Sequence, residues 1–372
     1  MIKNRINAIE YIRGISMLGV IGIHTGSQYL SNQLSNIHLV ALFEIVTRFS
    51  VPIFFFVSAF GLFYNLNLNE KFNYVQFMKK RFKTVLIPYL SWSFIYLMHY
   101  TLTYGDYSPW SITTILFYLF FGLSSYQLYF LVILLWFYAL MPIWIWMIKR
   151  MTVVKLALLL VFQIVFDYYS SFILSPNSSS KLINTFIEYR LNYIVLHYIF
   201  IFIWGGYCAV HYEAFHAKLQ KYYKLLSSSF IVSLASLLGY YYYLIYYEQY
   251  TAESAINTAH QLSPAGIFYT IGATLFFFGI FTFAKIPNPL HSFLSILGKH
   301  SYFAYLFHPF AISYLYLTIG YTGHLMTAPI TIVFYLAVAA ISILVAMLMR
   351  SIGNKFPLLN ILLIGIYPKT KK

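Results

Sequence analysis

The chain has 372 residues, of which 60% are hydrophobic, 21% aromatic and only 9% charged, and its mean hydropathy is +0.72. A soluble domain carries about 25% charged residues, so this composition excludes a soluble globule or a disordered chain and implies a polytopic integral membrane protein. The net charge of +15 comes from 24 Lys and Arg against 9 Asp and Glu; in such a chain the excess fits basic residues gathered in cytoplasmic loops, not nucleic-acid binding.

A helix needs about 20 mostly apolar residues to cross the hydrocarbon. Windows of that kind fall at 11–29, 45–64, 85–102, 126–147, 156–174, 193–210, 230–247, 265–283, 302–319 and 328–349. They predict an all-α polytopic fold of about ten transmembrane helices. The start, Met1-Ile2-Lys3-Asn4-Arg5, runs directly into the first window without a small-residue cleavage site, as an uncleaved first helix does. Residues 111–121 are apolar but short and read as an interfacial or re-entrant helix. Residues 354–366 read as an interfacial tail, and 175–181 (Ser-Pro-Asn-Ser-Ser-Ser-Lys) as an exposed turn. With no fixed-period repeat and no compositional break, 1–372 is expected to be one membrane-embedded domain with no fused extracytoplasmic domain.

The basic residues sort to alternate connections. One set holds Lys71, Lys79, Lys80, Arg81 and Lys83, then Lys149, Arg150 and Lys155, then Lys218, Lys221 and Lys224, then Lys285 and Lys299. The opposite set holds Lys181 and Arg190, with Arg48 close to that side. Lys3 and Arg5 at one end, and Arg350, Lys355, Lys369, Lys371 and Lys372 at the other, join the basic set, so both termini are expected in the cytoplasm.

A charged group at the centre of a lipid-spanning helix costs roughly 2.5–3.5 kcal/mol on insertion scales, which makes the few such groups pointers to chemistry. In the first window these are Glu10, Arg13 and His24. Glu10 and Arg13 share one helical face. His24 lies about 16 Å further along nearly the same stripe, at about 100° of turn per residue. An anchor pair and an interhelical hydrogen bond would explain the groups singly; three on one stripe favour a polar cavity. The ninth window supplies His308, about 14 Å in from Lys299 at helical rise, with Tyr305 one turn before it and Pro309 after it.

Weaker intruders are Asp167, read as solvated at the outer end of its window, and His99 and His197, read as packed hydrogen-bond donors. The Tyr-rich run 239–247 suits the lining of a sugar path. The run Lys79-Lys80-Arg81-Phe82-Lys83 serves either to orient the chain over anionic lipid or to hold phosphates through the arginine fork. The single Cys208 excludes intrachain disulfides and a cysteine-based metal cluster. No H-E-x-x-H, G-x-S-x-G or P-loop pattern occurs, so no metal site is expected and elbow-serine or ATP-driven chemistry lacks its parts.

These residues resemble the acyltransferase-3 family of integral membrane acyltransferases. The opening Glu10-Tyr11-Ile12-Arg13-Gly14, with His24 eleven positions after the Arg, is similar to that family's acidic-x-x-Arg-Gly start, with Glu where Asp is common. Val51-Pro52-Ile53-Phe54-Phe55-Phe56-Val57-Ser58 is similar to its second-helix motif, with Ala59 where a Gly is usual. Arg81 through Ile87-Pro88-Tyr89 matches the basic loop and Pro-Tyr entry, with Thr84 in place of a second basic residue. Gln127-Leu128-Tyr129-Phe130-Leu131 followed by Pro142 resembles the fourth-span motif, with Tyr129 for Trp, and 298–308 resembles the late Gly-x-x-Ser…Tyr-Leu-x-His signature.

The resemblance implies an enzyme of a bacterial cytoplasmic membrane that takes an acyl group, commonly acetyl, from cytoplasmic acyl-CoA. Acetyl-CoA is then a co-substrate and no cofactor is permanently bound. The acceptor is a hydroxyl of a cell-envelope polysaccharide or lipid-linked glycan, and the enzyme works alone or with a separate extracytoplasmic partner. His24 would be general base or acyl carrier, with Arg13 and Glu10 fixing the inner end of the site. His308, Tyr305 and Ser58 would orient substrate, and Arg81, Lys80 and Lys83 would hold the phosphates of coenzyme A. The rival reading is a flippase or exporter of lipid-linked oligosaccharide using the same polar stripe; a glycan polymerase is disfavoured by short outer loops poor in basic residues.

Overall fold

The computed structural model describes residues 6–31, 35–321 and 326–366. Helix makes up 82% of the described residues, with no strand among them. In lipid no water is present to satisfy backbone N–H and C=O groups, and a helix satisfies them within one segment. Lys3, Arg5, Lys369, Lys371 and Lys372 lie outside the described residues, so the terminal charges of the topology argument have no structural counterpart.

The main helices are α1 (Asn7–Leu30), α2 (Ile37–Tyr64), α3 (Tyr74–Arg81), α4 (Ile87–Tyr104), α5 (Ile112–Phe121), α6 (Tyr129–Ala139), α7 (Met141–Lys149) and α8 (Val153–Ile173). They continue with α9 (Lys181–Glu188), α10 (Val195–Val210), α11 (Tyr212–Lys221), α12 (Tyr223–Tyr246), α13 (Ala252–Thr258), α14 (Pro264–Phe283), α15 (Asn288–Tyr321), α16 (Ala328–Lys355) and α17 (Pro357–Ile364). Six of these, α2, α8, α12, α14, α15 and α16, are long and apolar enough to cross a membrane, and the count rises to eight if the bent pairs α6–α7 and α10–α11 are each one span. The two remaining windows of the expected ten coincide with α1 and α4. Both are long enough, but Glu10, Arg13 and His24 in α1, and the Ser, Tyr and His side chains of α4, dilute their apolar character. The 64° bend between α6 and α7 falls at Pro142, which has no backbone N–H to continue the ladder.

The chain packs as two compact units. The first comprises Met1–Asn67, Met151–Ser171 and Tyr198–Ile343, and the second Leu68–Arg150, Phe172–His197 and Leu344–Lys372. In the first unit α1 packs against α15 and α2, α2 against α10, and α12 against α14. Gly298 of α15 sits so close to α1 that a side-chain carbon there would collide with the backbone oxygen of Glu10, and Gly14 is similarly close to Leu297. Small residues that let two backbones meet are the usual means of helix association in lipid.

Within α8, Gln163, Asp167 and Ser170 are the buried members, while Val154, Leu158, Val161 and Val165 are exposed. This is the inside-out pattern of a lipid-facing helix. It corrects the expectation for Asp167, which is fully buried and not solvated. Lipid offers a carboxyl no partner, so the polar stripe turns inward, where the Gln163 Oε1 accepts a hydrogen bond from the Phe200 N–H at 2.7 Å.

In the second unit, α4 packs on α17, with the Trp92 indole N–H donating to the Leu363 carbonyl at 3.0 Å. The short α5 carries an aromatic cluster of Phe117, Phe120 and Phe121 with Phe186, Tyr189 and Tyr193.

Candidate active site

The first unit brings together the residues of the two predicted polar stripes. The imidazoles of His24 on α1 and His308 on α15 stack at 5.3 Å between centroids, with 20° between their planes. His308 is fully buried, and its Nδ1 lies 2.7 Å from the Tyr305 carbonyl of the preceding turn. That hydrogen bond fixes the tautomer: Nδ1–H donates to the carbonyl, and Nε2 carries the lone pair. His24 is half-buried. Tyr305 is buried and meets the edge of Phe54 on α2, and Ser58, one turn beyond Phe54, is half-buried on the same helix.

At the start of α1, Glu10 and Arg13 line a cavity of about 440 Å³ with Tyr64, Asn65, Lys299 and Tyr302. Glu10 Oε1 accepts from the Ser295 hydroxyl at 3.2 Å. Ile6 and Tyr64 also border a second cavity of about 760 Å³, whose walls include Asn7, His211, Tyr212 and Glu213. Ligand pockets run to about 300–1,000 Å³, so each is large enough for part of a substrate. The predicted neighbours Glu10, Arg13, His24, His308 and Tyr305 therefore do lie along one pair of packed helices.

A further polar cluster borders the other end of α1. Glu44, 2% exposed, receives a hydrogen bond from the Ser27 hydroxyl at 2.7 Å and pairs with Arg48 at 3.0 Å. Arg48 also reaches the Gln261 carbonyl oxygen at 3.4 Å. Ser27 is one helical turn past His24, and the Arg48 charge acts on both His24 and His260. Glu44 can approach because Gly26 of α1 has no side chain there; a Cβ would meet the Glu44 side chain at 2.8 Å. Glu44 itself sits in a π-helical turn, Ala41–Ile45, that opens α2. Such turns occur often at functional sites. The backbone break leaves the Val46 carbonyl to accept from the Tyr269 hydroxyl at 2.7 Å.

Burial, with the Arg48 cation beside it, pushes the His260 imidazole down to a pKa of about 3. His260 and Gln261 lie in the loop before α14. The signal for this cluster was present in the sequence as Glu44-x-x-x-Arg48, an ion-pair spacing on a helix. For topology Arg48 counts alone, and the partners that complete the cluster, Ser27 and Gln261, are remote in the chain.

The basic run belongs to the second unit. The Arg81 guanidinium sits over the rings of Phe77 and Tyr138, at 5.0 and 5.1 Å from their centroids, and its Nε is buried with no hydrogen-bond partner among the described residues. Lys80 and Lys83 are exposed. His99, expected as a packed donor, is buried on α4, with its Nδ1 3.5 Å from the Thr103 hydroxyl. His197 is fully buried.

No curated protein and no solved structure matches the chain. The acyltransferase-3 family model, described as an acyltransferase domain, matches residues 6–350, nearly the whole of the chain and all the residues of the site just described. The chain therefore belongs to the acyltransferase-3 family and is a multi-pass membrane protein of acyl transfer.

Proposed function

We propose that the protein moves an acyl group, in the simplest case acetyl, from cytoplasmic acyl-CoA to a hydroxyl of a cell-envelope polysaccharide or lipid-linked glycan. The observation that carries this reading is the His24–His308 stack on α1 and α15, between the Glu10–Arg13 cavity and the Glu44–Arg48 cluster. The cavity end suits the thioester: Arg13 and Lys299 supply donors for a carbonyl or phosphate oxygen, and Glu10 holds that end of the helix pair. No cofactor need be permanently bound, since the acyl donor is itself consumed.

His24 acts as general base. Its imidazole takes the proton of the acceptor hydroxyl as the oxygen attacks the thioester carbonyl carbon. A C–O bond forms, the C–S bond breaks, and the same proton passes from the imidazolium to the departing thiolate. In the alternative course His24 carries the acyl group on nitrogen between two such steps. His308, with its tautomer fixed by Tyr305, orients His24 across the stack, while Tyr305 and Ser58 line the substrate side. Arg81 is held by its flat face against two rings, which leaves its edge N–H groups for coenzyme A phosphates, with Lys80 and Lys83 adding charge. The setting is the bacterial cytoplasmic membrane, and an extracytoplasmic protein that receives or presents the glycan is a natural partner.

Mass spectrometry of envelope glycans from cells with and without the gene tests this function. The expected result is an acyl mass on glycan hydroxyls that disappears with the gene. Unchanged acylation, with loss instead of glycan export, would assign the polar stripe to a flippase.

A further inference from the structure

The buried ion pair Glu44–Arg48 has no part in the proton and acyl transfers above, yet it is costly to keep. A charged pair taken out of water recovers its desolvation only with good geometry, and apolar residues of similar size often do as well. Here the geometry is specific. Glu44 is fixed from α1 by Ser27, and Arg48 spends one terminal nitrogen on Glu44 and the other on Gln261. The Arg48 Nε–H is buried with no hydrogen-bond partner among the described residues. Leaving a buried donor on a cation unsatisfied is unfavourable, so a ligand oxygen is the natural occupant. Glu44 sits in the π-helical opening of α2 and Arg48 just after it, and Glu44 meets α1 at Ser27, one turn from His24 and towards the opposite end of that helix from the Glu10–Arg13 cavity.

Resting on the acyl-transfer reading, we propose that Arg48, held by Glu44 and Gln261, binds the acceptor through its Nε–H, and that this acceptor is an uncharged glycan rather than a phosphate-bearing polymer. A phosphate is best held by an arginine whose charge is free to meet it, and the Arg48 charge is already paired with Glu44. The Glu44 carboxylate cancels the Arg48 charge, and His260, kept neutral by its buried place beside Arg48, adds none. A cluster with no net charge and an N–H donor to offer suits a hydroxyl, ring or amide oxygen of a neutral sugar.

The test uses the full-length protein in lipid nanodiscs with labelled acetyl-CoA. Envelope glycan from the encoding organism, split by anion exchange into neutral and phosphate-containing fractions, serves as acceptor. The neutral fraction is expected to take the label. Label only in the phosphate-containing fraction would overturn the neutral-acceptor inference while leaving acyl transfer standing, and label in neither fraction would overturn acyl transfer itself. Arg48→Lys and Gln261→Ala are then expected to raise the KM for neutral glycan by about 10- to 100-fold, the range for one hydrogen bond to a charged donor, with the KM for acetyl-CoA unchanged within about twofold. Because breaking a buried pair can unfold a protein, the paired variant Glu44→Gln with Arg48→Met keeps the core free of a lone charge and carries the same expectation. Variants that lower kcat or raise the acetyl-CoA KM, with the glycan KM unmoved, would remove Arg48 from acceptor binding.

Discussion

His260 shows how a single side chain links the site to solution conditions. Its imidazole titrates near 3 in the folded protein, against about 6.5 in an unfolded chain, because burial and the Arg48 cation disfavour the charged form. Between those values the unfolded state binds the extra proton, so stability falls as pH drops through that window. Going from pH 6.5 to 5, the loss is at most about 2 kcal/mol. His260→Gln should therefore flatten the fall in thermal midpoint between pH 7 and 5 in nanodiscs; parallel pH profiles for variant and parent would rule this out.

Residue by residue, the sequence disclosed Glu10, Arg13, His24 and His308, because an ionisable group in an apolar window stands out wherever it occurs. Glu44 and Arg48 stand out in the same way, but their meaning depends on Ser27, 17 residues upstream, and on Gln261, 213 residues downstream. Asp167 failed for the converse reason. Position in a window says nothing about which face a side chain takes, and the inward face became visible only with the Gln163–Phe200 hydrogen bond in place.

Among the helices, hydropathy located ten apolar stretches that recur as helices or bent pairs, of which six to eight are long and apolar enough to cross a membrane, but not their interruptions. Pro142 marks the α6–α7 bend, whereas the 97° bend between α10 and α11 at His211 carries no proline and no turn residue. The π-helical turn of α2 likewise has no sequence marker, and it lets the helix begin at Ile37, eight residues before the expected window at 45. The α1–α15 contact depends on Gly298, whose replacement by Ala would drive a methyl into the Glu10 carbonyl. Overpacking of this kind costs about 1–3 kcal/mol, and it shifts α1 against α15, so the His24–His308 stack opens with it. Gly298→Ala should thus lower both thermal midpoint and acyl transfer. Gly239→Ala on α12, with open space around it, should be neutral or stabilising by up to about 1 kcal/mol. Equal effects from the two variants would deny the close contact its role.

For the molecule as a whole, the alternation of basic loops predicts that the connections holding Lys80 and Lys218 face one side of the membrane and the one holding Lys181 faces the other. The native thiol, Cys208, is buried, so its replacement by Ser supplies a quiet background for single cysteines. Cysteines at 80 and 218 should react with an impermeant reagent from the cytoplasmic side only, and one at 177 from the outside only; labelling of 80 and 177 from the same side would refute the alternation. The division into two interleaved units was not legible in the chain, since each is assembled from three separate segments and no linker composition marks their boundaries. The family, by contrast, was legible from short motifs in order, because the helices that carry them set the spacing of Glu10, Arg13, His24 and His308.

The central claim is that a proton-active imidazole at position 24 transfers the acyl group. Its most direct measurement is the rate of acetyl transfer from labelled acetyl-CoA to envelope glycan by the full-length protein and by His24→Ala, with thermal midpoints confirming that both are folded. The account predicts a loss of about 100-fold or more, the lower end expected for removing a general base. A folded His24→Ala protein transferring acetyl at the parental rate would contradict it.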